Sequence, residues 1–221
     1  AELLDRFRGE LEFGTAGLRR LLGAGPNRMN RAVVRRATAG VARYLLATVP
    51  DAARRGVVVA RDARRGSNDF ALETAGVLAG HGIRVHFFVD LAPTPLGAFA
   101  VKELGAAAGV VVTASHNPPA YNGYKVYWGN SAQIVPPVDA GIASEIASSG
   151  PANAIPFLPR AEAEAQGLLL PLGDDLALRY QEAISALALH TGQGRDLGIV
   201  YTAMHGVGAR FTLDALTRAG R

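Results

Sequence analysis

The chain has 221 residues and a mass of 23.1 kDa, enough to bury a full core as one large domain or as one domain plus part of another. Hydrophobic residues make up 49% and charged residues 19%, which excludes a mainly disordered chain, and the lack of cysteine excludes disulfides, thiolate metal sites and a cysteine nucleophile. The formal charge of +4 is uneven, because residues 1–65 hold 14 arginines against 6 acids while the remainder holds 9 basic residues against 13 acids.

Hydrophobic period alternates between helix and strand values along the chain, the pattern of an α/β fold. Asn30 to Val49 reads as a helix, with Asn30 as N-cap and Val34, Ala37, Val41 and Leu45 recurring at helical spacing. Gly56 to Ala60 is a short β-branched run, hence a buried strand. Ser67 reads as the cap of a helix that runs to His81 and closes at Gly82. Ile83 to Val89 is a second strand, Pro95 suits the first turn of a helix reaching Leu104, and Gly109 to Val112 is a third buried strand. This alternation predicts a parallel sheet, and ligands of such sheets sit beyond the carboxyl ends of the strands. The loops after Ala60, Val89 and Val112 are therefore where chemistry is sought.

After Tyr121 to Trp128, Pro137 to Ser148 reads as a helix and Ser149 to Pro159 as a loop. Asp174 to His190 reads as a helix with acids in its first turn, where the helix dipole favours them. Thr191 to Gly194 is polar and glycine-rich and predicts a domain boundary, dividing 1–190 from 191–221. Leu197 to Tyr201 then predicts a new strand, and Gly208 to Ala219 a helix with Gly220 as its terminator. A strand and a helix without a second strand cannot close a parallel sheet, so the chain is expected to stop inside a unit.

The most informative segment is Thr113-Ala114-Ser115-His116-Asn117-Pro118-Pro119, followed by Ala120-Tyr121-Asn122-Gly123-Tyr124-Lys125. It follows a buried strand directly, which displays Ser115 at the sheet's carboxyl edge, and Pro118, Pro119 and Gly123 stiffen and bend the loop. Lys125 is one of only two lysines, and a compact mobile ammonium near a serine suits phosphoryl or proton transfer. Three uses compete: Ser, His and Asn that only bond the turn's backbone, an acyl-transfer site, and phosphoryl transfer through a phosphoserine. Acyl transfer is disfavoured, since the G-x-S-x-G elbow is absent and adjacent residues such as Ser115 and His116 do not normally form a nucleophile and base. Phosphoryl transfer fits best, because several arginines and one lysine are available to stabilise phosphate charge.

Thr113 to Pro118, continued by Asn122, Gly123 and Lys125, resembles the active-site phosphoserine loop of the α-D-phosphohexomutases, the phosphoglucomutase/phosphomannomutase superfamily. Phe13-Gly14-Thr15-Ala16-Gly17-Leu18-Arg19 is similar to that family's opening motif and Arg61-Asp62-Ala63-Arg64 to its first-strand motif. Pro93-Thr94-Pro95 is similar to the segment ahead of the serine strand. Ile199 to Gly208 resembles the opening of the second domain in the branch of bacterial phosphoglucomutases and phosphopentomutases. The resemblance implies an α/β fold, a mixed, mostly parallel sheet sandwiched by helices as domain I, plus the truncated start of a similar second domain.

It also implies reversible phosphoryl transfer between the C1 and C6 (or C5) hydroxyls of a sugar, through phosphorylated Ser115 and a bisphosphorylated sugar that reorients. His116 and Lys125 would assist proton transfer and charge stabilisation, and Arg19 would contact the transferring phosphoryl group. Thr15, Asn117 and Arg61 fall on substrate-binding positions, with Asn117 holding the loop; for Arg61, Asp62 and Arg64, fixing a strand-end loop is an equal alternative. The implied cofactor is Mg²⁺, held by the Ser115 phosphate and three aspartates, with a sugar bisphosphate as activator. The three aspartates at alternate positions occur nowhere here, and Asp174-Asp175 lacks that spacing. The remaining metal ligands and the sugar-reading loops are therefore expected in C-terminal domains outside this chain, and this portion alone is expected to be inactive. Tyr121 to Gln133 tilts the substrate toward glucose or mannose phosphates ahead of pentose phosphates.

A non-catalytic phosphosugar- or polyanion-binding module, using the basic first third, is the alternative. Arginine supplies 21 of the 23 basic residues in an alanine-rich chain, so coding bias also explains part of that charge. No lysine-arginine run with interleaved aromatics, zinc spacing or RNA-binding signature is present, so no nucleic-acid partner is expected. No apolar stretch approaches the roughly 18 to 20 residues of a membrane helix, the charged start reads as no signal peptide, and a cytoplasmic location is expected. Gly206-Val207-Gly208 lacks the third glycine of a dinucleotide turn, the position being Phe211. His81, His86 and His190 show no metal spacing, Arg28, Arg31, Arg35, Arg36 and Arg43 read as a solvated or domain-facing side of the first helix, and Tyr127 and Trp128 read as core or interface aromatics.

Overall fold

A computed structural model describes residues 1–189 and 196–221, so His190 and the boundary expected at Thr191 to Gly194 lie outside the described residues. In chain order the elements are α1 (Glu2–Phe7), β1 (Leu18–Leu21), α2 (Arg31–Thr48), α3 (Ala52–Arg55), β2 (Val57–Arg61), α4 (Ser67–Gly80), β3 (Val85–Phe88) and α5 (Thr94–Glu103). They continue with β4 (Ala108–Val112), β5 (Tyr121–Trp128), α6 (Val138–Ala147), a 3₁₀ turn at Ala152–Ala154, α7 (Arg160–Ala165), β6 (Leu169–Leu172), α8 (Asp174–Ala186) and α9 (Ala209–Arg218).

The strands form one sheet in the order β1-β5-β4-β2-β3-β6. The four strands β4, β2, β3 and β6 run parallel, and β5 and β1 extend the β4 edge antiparallel, so the sheet is mixed and mostly parallel, as expected. β2 shows why the apolar run Val57-Val58-Val59-Ala60 sits in the middle. Val57 and Val59 point into a core filled by Val34, Val41 and Leu45 of α2 and Ala71, Ala75 and Leu78 of α4. Val58 and Ala60 point to the opposite face, packed by Leu96, Ala100 and Val101 of α5 and Leu176 of α8. A strand buried on both faces needs a continuous apolar run, and this one has it.

The α2 boundary follows its sequence signal: the Asn30 side chain accepts a hydrogen bond from the Val33 amide, and its own amide group donates to the carbonyls of Gly23, Gly25 and Arg28. α9 ends as expected, with Gly220 at φ +76° and the amides of Gly220 and Arg221 bonded to the carbonyls of Thr217 and Leu216, the Schellman arrangement.

Two expectations are corrected. Ser67 does not cap α4: Gly66 occupies the cap position in a left-handed conformation, and the Ser67 hydroxyl instead donates to Asp62. Leu197 to Tyr201 forms no strand among the described residues, because it finds no partner to pair with, and Val200 is fully exposed. The arginines expected on a solvated or domain-facing side of the first helix mostly have partners within the domain, while the Arg31 side chain stays 67% exposed. Arg28 is buried against Asp5 at 2.5 Å, Arg31 and Arg35 both grip the buried Glu73 of α4, and Arg36 pairs with Glu10 at 2.6 Å. Arg35 also lies over the Phe157 ring at 4.2 Å. Much of the basic excess of the first third is thus spent on joining elements to one another.

Candidate active site

Because β2, β3 and β4 run parallel, the loops that follow them emerge on one edge of the sheet, and β5 starts from that same edge. The loop after β4 carries Ser115 in the left-handed region at φ +58°. For a non-glycine residue that conformation costs about 1–2 kcal/mol, so the surroundings must enforce it. Locally, the Ser115 amide donates to the Thr113 hydroxyl at 2.9 Å and the Asn117 amide to the Ala114 carbonyl at 3.1 Å. The Ser115 side chain is exposed, with its hydroxyl 3.4 Å from His116 Nδ1.

Arg64, in the loop after β2, holds this loop from beneath. Its guanidinium donates to the carbonyls of Ser115 at 2.8 Å, Asn117 at 2.6 Å, Pro118 at 3.0 Å and Tyr121 at 3.2 Å. Asp62 lies 3.3 Å from Arg64 Nε, accepts the Arg64 amide at 3.0 Å and accepts the Ser67 hydroxyl at 2.7 Å. Buried Asn122 completes the set, donating to Ser67 Oγ at 3.0 Å and to the Arg65 carbonyl at 2.9 Å while accepting from the Gly123 amide at 2.7 Å. Asp62, Ser67 and Asn122 therefore lock the β2 loop to the start of β5.

Backbone proximity imposes glycine at two positions beside the site. A Cβ on Gly123 would stand 2.6 Å from the Thr113 carbonyl oxygen and 2.8 Å from that of Leu18, both rigid backbone. Gly17 has φ +70°, and a Cβ there would overlap the Tyr124 carbonyl oxygen at 1.9 Å. The Gly14–Gly17 turn, closed by the Gly17 amide on the Gly14 carbonyl at 2.7 Å, thereby lays β1 against β5 with Arg19 opposite Gly123.

Arg19 donates to the Asn117 side-chain oxygen at 3.0 Å, joining β1 to the serine loop. Lys125, opposite Val111 near the end of β4, is partly buried. Desolvation, with the neighbouring Arg19 charge, pushes its ammonium below the usual lysine value of 10.5. Beneath it, the phenol of fully buried Tyr124 shares a 3.0 Å hydrogen bond with Thr38 of α2, and burial raises its pKa far above that of a free tyrosine. This fixes the strand that carries Lys125.

The geometry thus brings Ser115, His116, Asn117, Arg19 and Lys125 to one edge. Thr15 lies in the exposed 14–17 turn and offers its carbonyl to Gln133 at 2.7 Å. Arg61 donates to the Val89 carbonyl at 2.9 Å and keeps a buried Nε without a partner, so it ties the loops after β2 and β3 rather than the serine loop. The described residues contain no group of three or more His, Asp or Glu that could hold a metal ion. Asp62 is already committed to Arg64 and Ser67, so the described donors around Ser115 do not by themselves make a Mg²⁺ site. For Arg64, whose motif allows either a loop-fixing or a ligand-binding use, four carbonyl acceptors commit the guanidinium to the loop.

Residues 10–152 match the family described as phosphoglucomutase/phosphomannomutase, alpha/beta/alpha domain I. The chain belongs to this family. A protein of Schizosaccharomyces pombe named probable phosphoribomutase is 47% identical over 98% of this chain and 37% of its own length. Human phosphopentomutase is 37% identical over 97% of this chain and 36% of its own. The crystal structure of a phosphoglucomutase/phosphomannomutase family protein from Burkholderia thailandensis superposes with a TM-score of 0.61 at 25% identity, covering 81% of this chain and 36% of that one. The chain thus spans little more than a third of the length of the relatives it matches.

Proposed function

We propose that the full-length protein is a phosphosugar mutase that works through phosphorylated Ser115. A free sugar hydroxyl attacks the phosphorus: its oxygen forms the new P–O bond, the bond to Ser115 Oγ breaks, and the hydroxyl proton passes to a basic group at the sheet edge. The bisphosphorylated sugar turns round, Ser115 Oγ bonds to the other phosphorus as that group's bond to the sugar oxygen breaks, and the held proton passes to the released oxygen. In this reading Arg19 holds the transferring group and Lys125 and His116 carry the proton and offset developing charge, while Thr15, Asn117 and Arg61 line the substrate. The single observation that supports it most is an exposed serine held at left-handed φ on a loop clamped by one guanidinium, at the sheet edge that also carries Lys125, which has no acidic partner among the described residues.

Mg²⁺ and a sugar bisphosphate activator belong to the same proposal. The metal's carboxylates would come from chain beyond residue 221, and residues 1–221 alone are proposed to be inactive. We also propose that residues 1–190 act as the serine-bearing domain and 191–221 open the next, in a cytoplasmic enzyme. Hexose phosphates are one substrate reading. Pentose phosphate is favoured by the 47% identity to a relative named phosphoribomutase. Turnover of glucose, mannose and ribose 1-phosphates by the full-length protein separates them. Ser115→Ala is expected to lower turnover of the preferred one by at least about 10⁴-fold, and unchanged turnover would contradict the mechanism.

A further inference from the structure

We infer that Arg64 is a positioning residue for phosphoryl transfer at Ser115, acting only through the backbone of the serine loop. The inference rests on the reading of Ser115 given above. Arg64 spends its guanidinium on the carbonyls of Ser115, Asn117, Pro118 and Tyr121 and on Asp62, which leaves no free edge for a phosphate. Those four acceptors span residues 115–121, so a single planar group sets the path of the entire loop between β4 and β5. Its own position is fixed in turn, because Asp62 is held by Ser67 and Ser67 by the buried Asn122.

The clamp explains how Ser115 keeps a left-handed φ without glycine. Remove the guanidinium, and four carbonyl dipoles converge on empty space while the strain at Ser115 is released by relaxation toward the ordinary β or α region. Lysine cannot substitute. Its ammonium is a point with three donors, whereas arginine offers five in a flat fork, and four carbonyls spread over seven residues need the fork. A nucleophile misplaced by about 1 Å loses on the order of 10² in rate. Arg19 touches the same loop through the Asn117 side chain, not the backbone, so it cannot take over the task.

The test compares Arg64→Lys, Arg64→Ala and the exposed control Arg54→Lys in the full-length protein, with turnover and amide hydrogen exchange read together. In Arg64→Lys we expect kcat to fall about 10²-fold with KM for the sugar phosphate unchanged, and the hydrogen-bonded amides of Ser115 and Asn117 to exchange faster. Added guanidinium ion is expected to restore part of kcat in Arg64→Ala but none in Ser115→Ala, and Arg54→Lys should match the wild type. Normal kcat and normal exchange in Arg64→Lys would overturn the inference, as would a loss confined to KM, which would make Arg64 a substrate contact. If Ser115→Ala retains turnover, the phosphoserine reading fails by itself; the exchange of the Ser115 and Asn117 amides still decides whether Arg64 sets the loop.

Discussion

Lys125 is the residue where physics and chemistry pull hardest against each other. Burial and the Arg19 charge lower its pKa, so the folded chain releases this proton before the unfolded chain does. Across the window between the lowered value and 10.5 the unfolded state binds more protons, and stability rises with pH there; below the window the full penalty of holding the charge is present. Lys125→Met is therefore expected to raise the Tm at neutral pH while reducing turnover by about 10²-fold or more, and a lowered Tm would show that the ammonium is a structural partner instead. As a proton acceptor Lys125 should also give a rate that climbs with pH to a plateau below 10.5, a limb that Lys125→Met removes. The residues proposed for the site, Ser115, His116, Asn117, Arg19 and Lys125, were singled out by their motifs. For Arg64 the motif offered fixing a strand-end loop as one of two equal uses; which carbonyls it binds was not legible, because backbone acceptors leave no trace in side-chain types along the chain.

At the level of elements, the packing of β1 on β5 depends on two glycines. Gly17 meets both a positive φ and a 1.9 Å overlap with the Tyr124 carbonyl oxygen, whereas Gly123 meets contacts of 2.6 and 2.8 Å at ordinary φ. Alanine at either position must push β1 away. Gly17→Ala is expected to destabilise the fold by about 3 kcal/mol or more and Gly123→Ala by about 1–3 kcal/mol, measured by urea unfolding, with the Arg19 contact to Asn117 lost in both. The reverse order would show that β1 follows the loop and not the turn. Element by element, α2 was readable because Asn30 and a 3.6-residue apolar period agree. β1 was not, since Leu18-Arg19-Arg20-Leu21 has neither a buried run nor an alternation, and becomes a strand only by pairing with β5. Leu197 to Tyr201 failed for the converse reason: an apolar, β-favouring run is no strand without a neighbour. Ser67 was drawn from its cap by Asp62, a partner that only the folded loop provides.

For the whole molecule, charge has been redistributed from attraction to assembly. Of the fourteen arginines in residues 1–65, Arg28, Arg31, Arg35, Arg36 and Arg64 hold elements together, and Arg19 lies with Lys125 at the serine edge. A binding module that drew polyanions through a broad basic wall would need those groups free, so this distribution supports a local phosphoryl site over the polyanion alternative. Nucleic-acid binding with a steep salt dependence would reverse that judgement. The chain spans little more than a third of the length of its relatives, and the proposed reaction is one for the full-length protein. Phosphorylation of Ser115 is tested by intact mass followed by peptide mapping of that protein after incubation with a sugar 1,6-bisphosphate. A mass gain of one phosphoryl group located on Ser115, and absent from Ser115→Ala, is the predicted result; no gain, or a gain that maps to another residue, would contradict it.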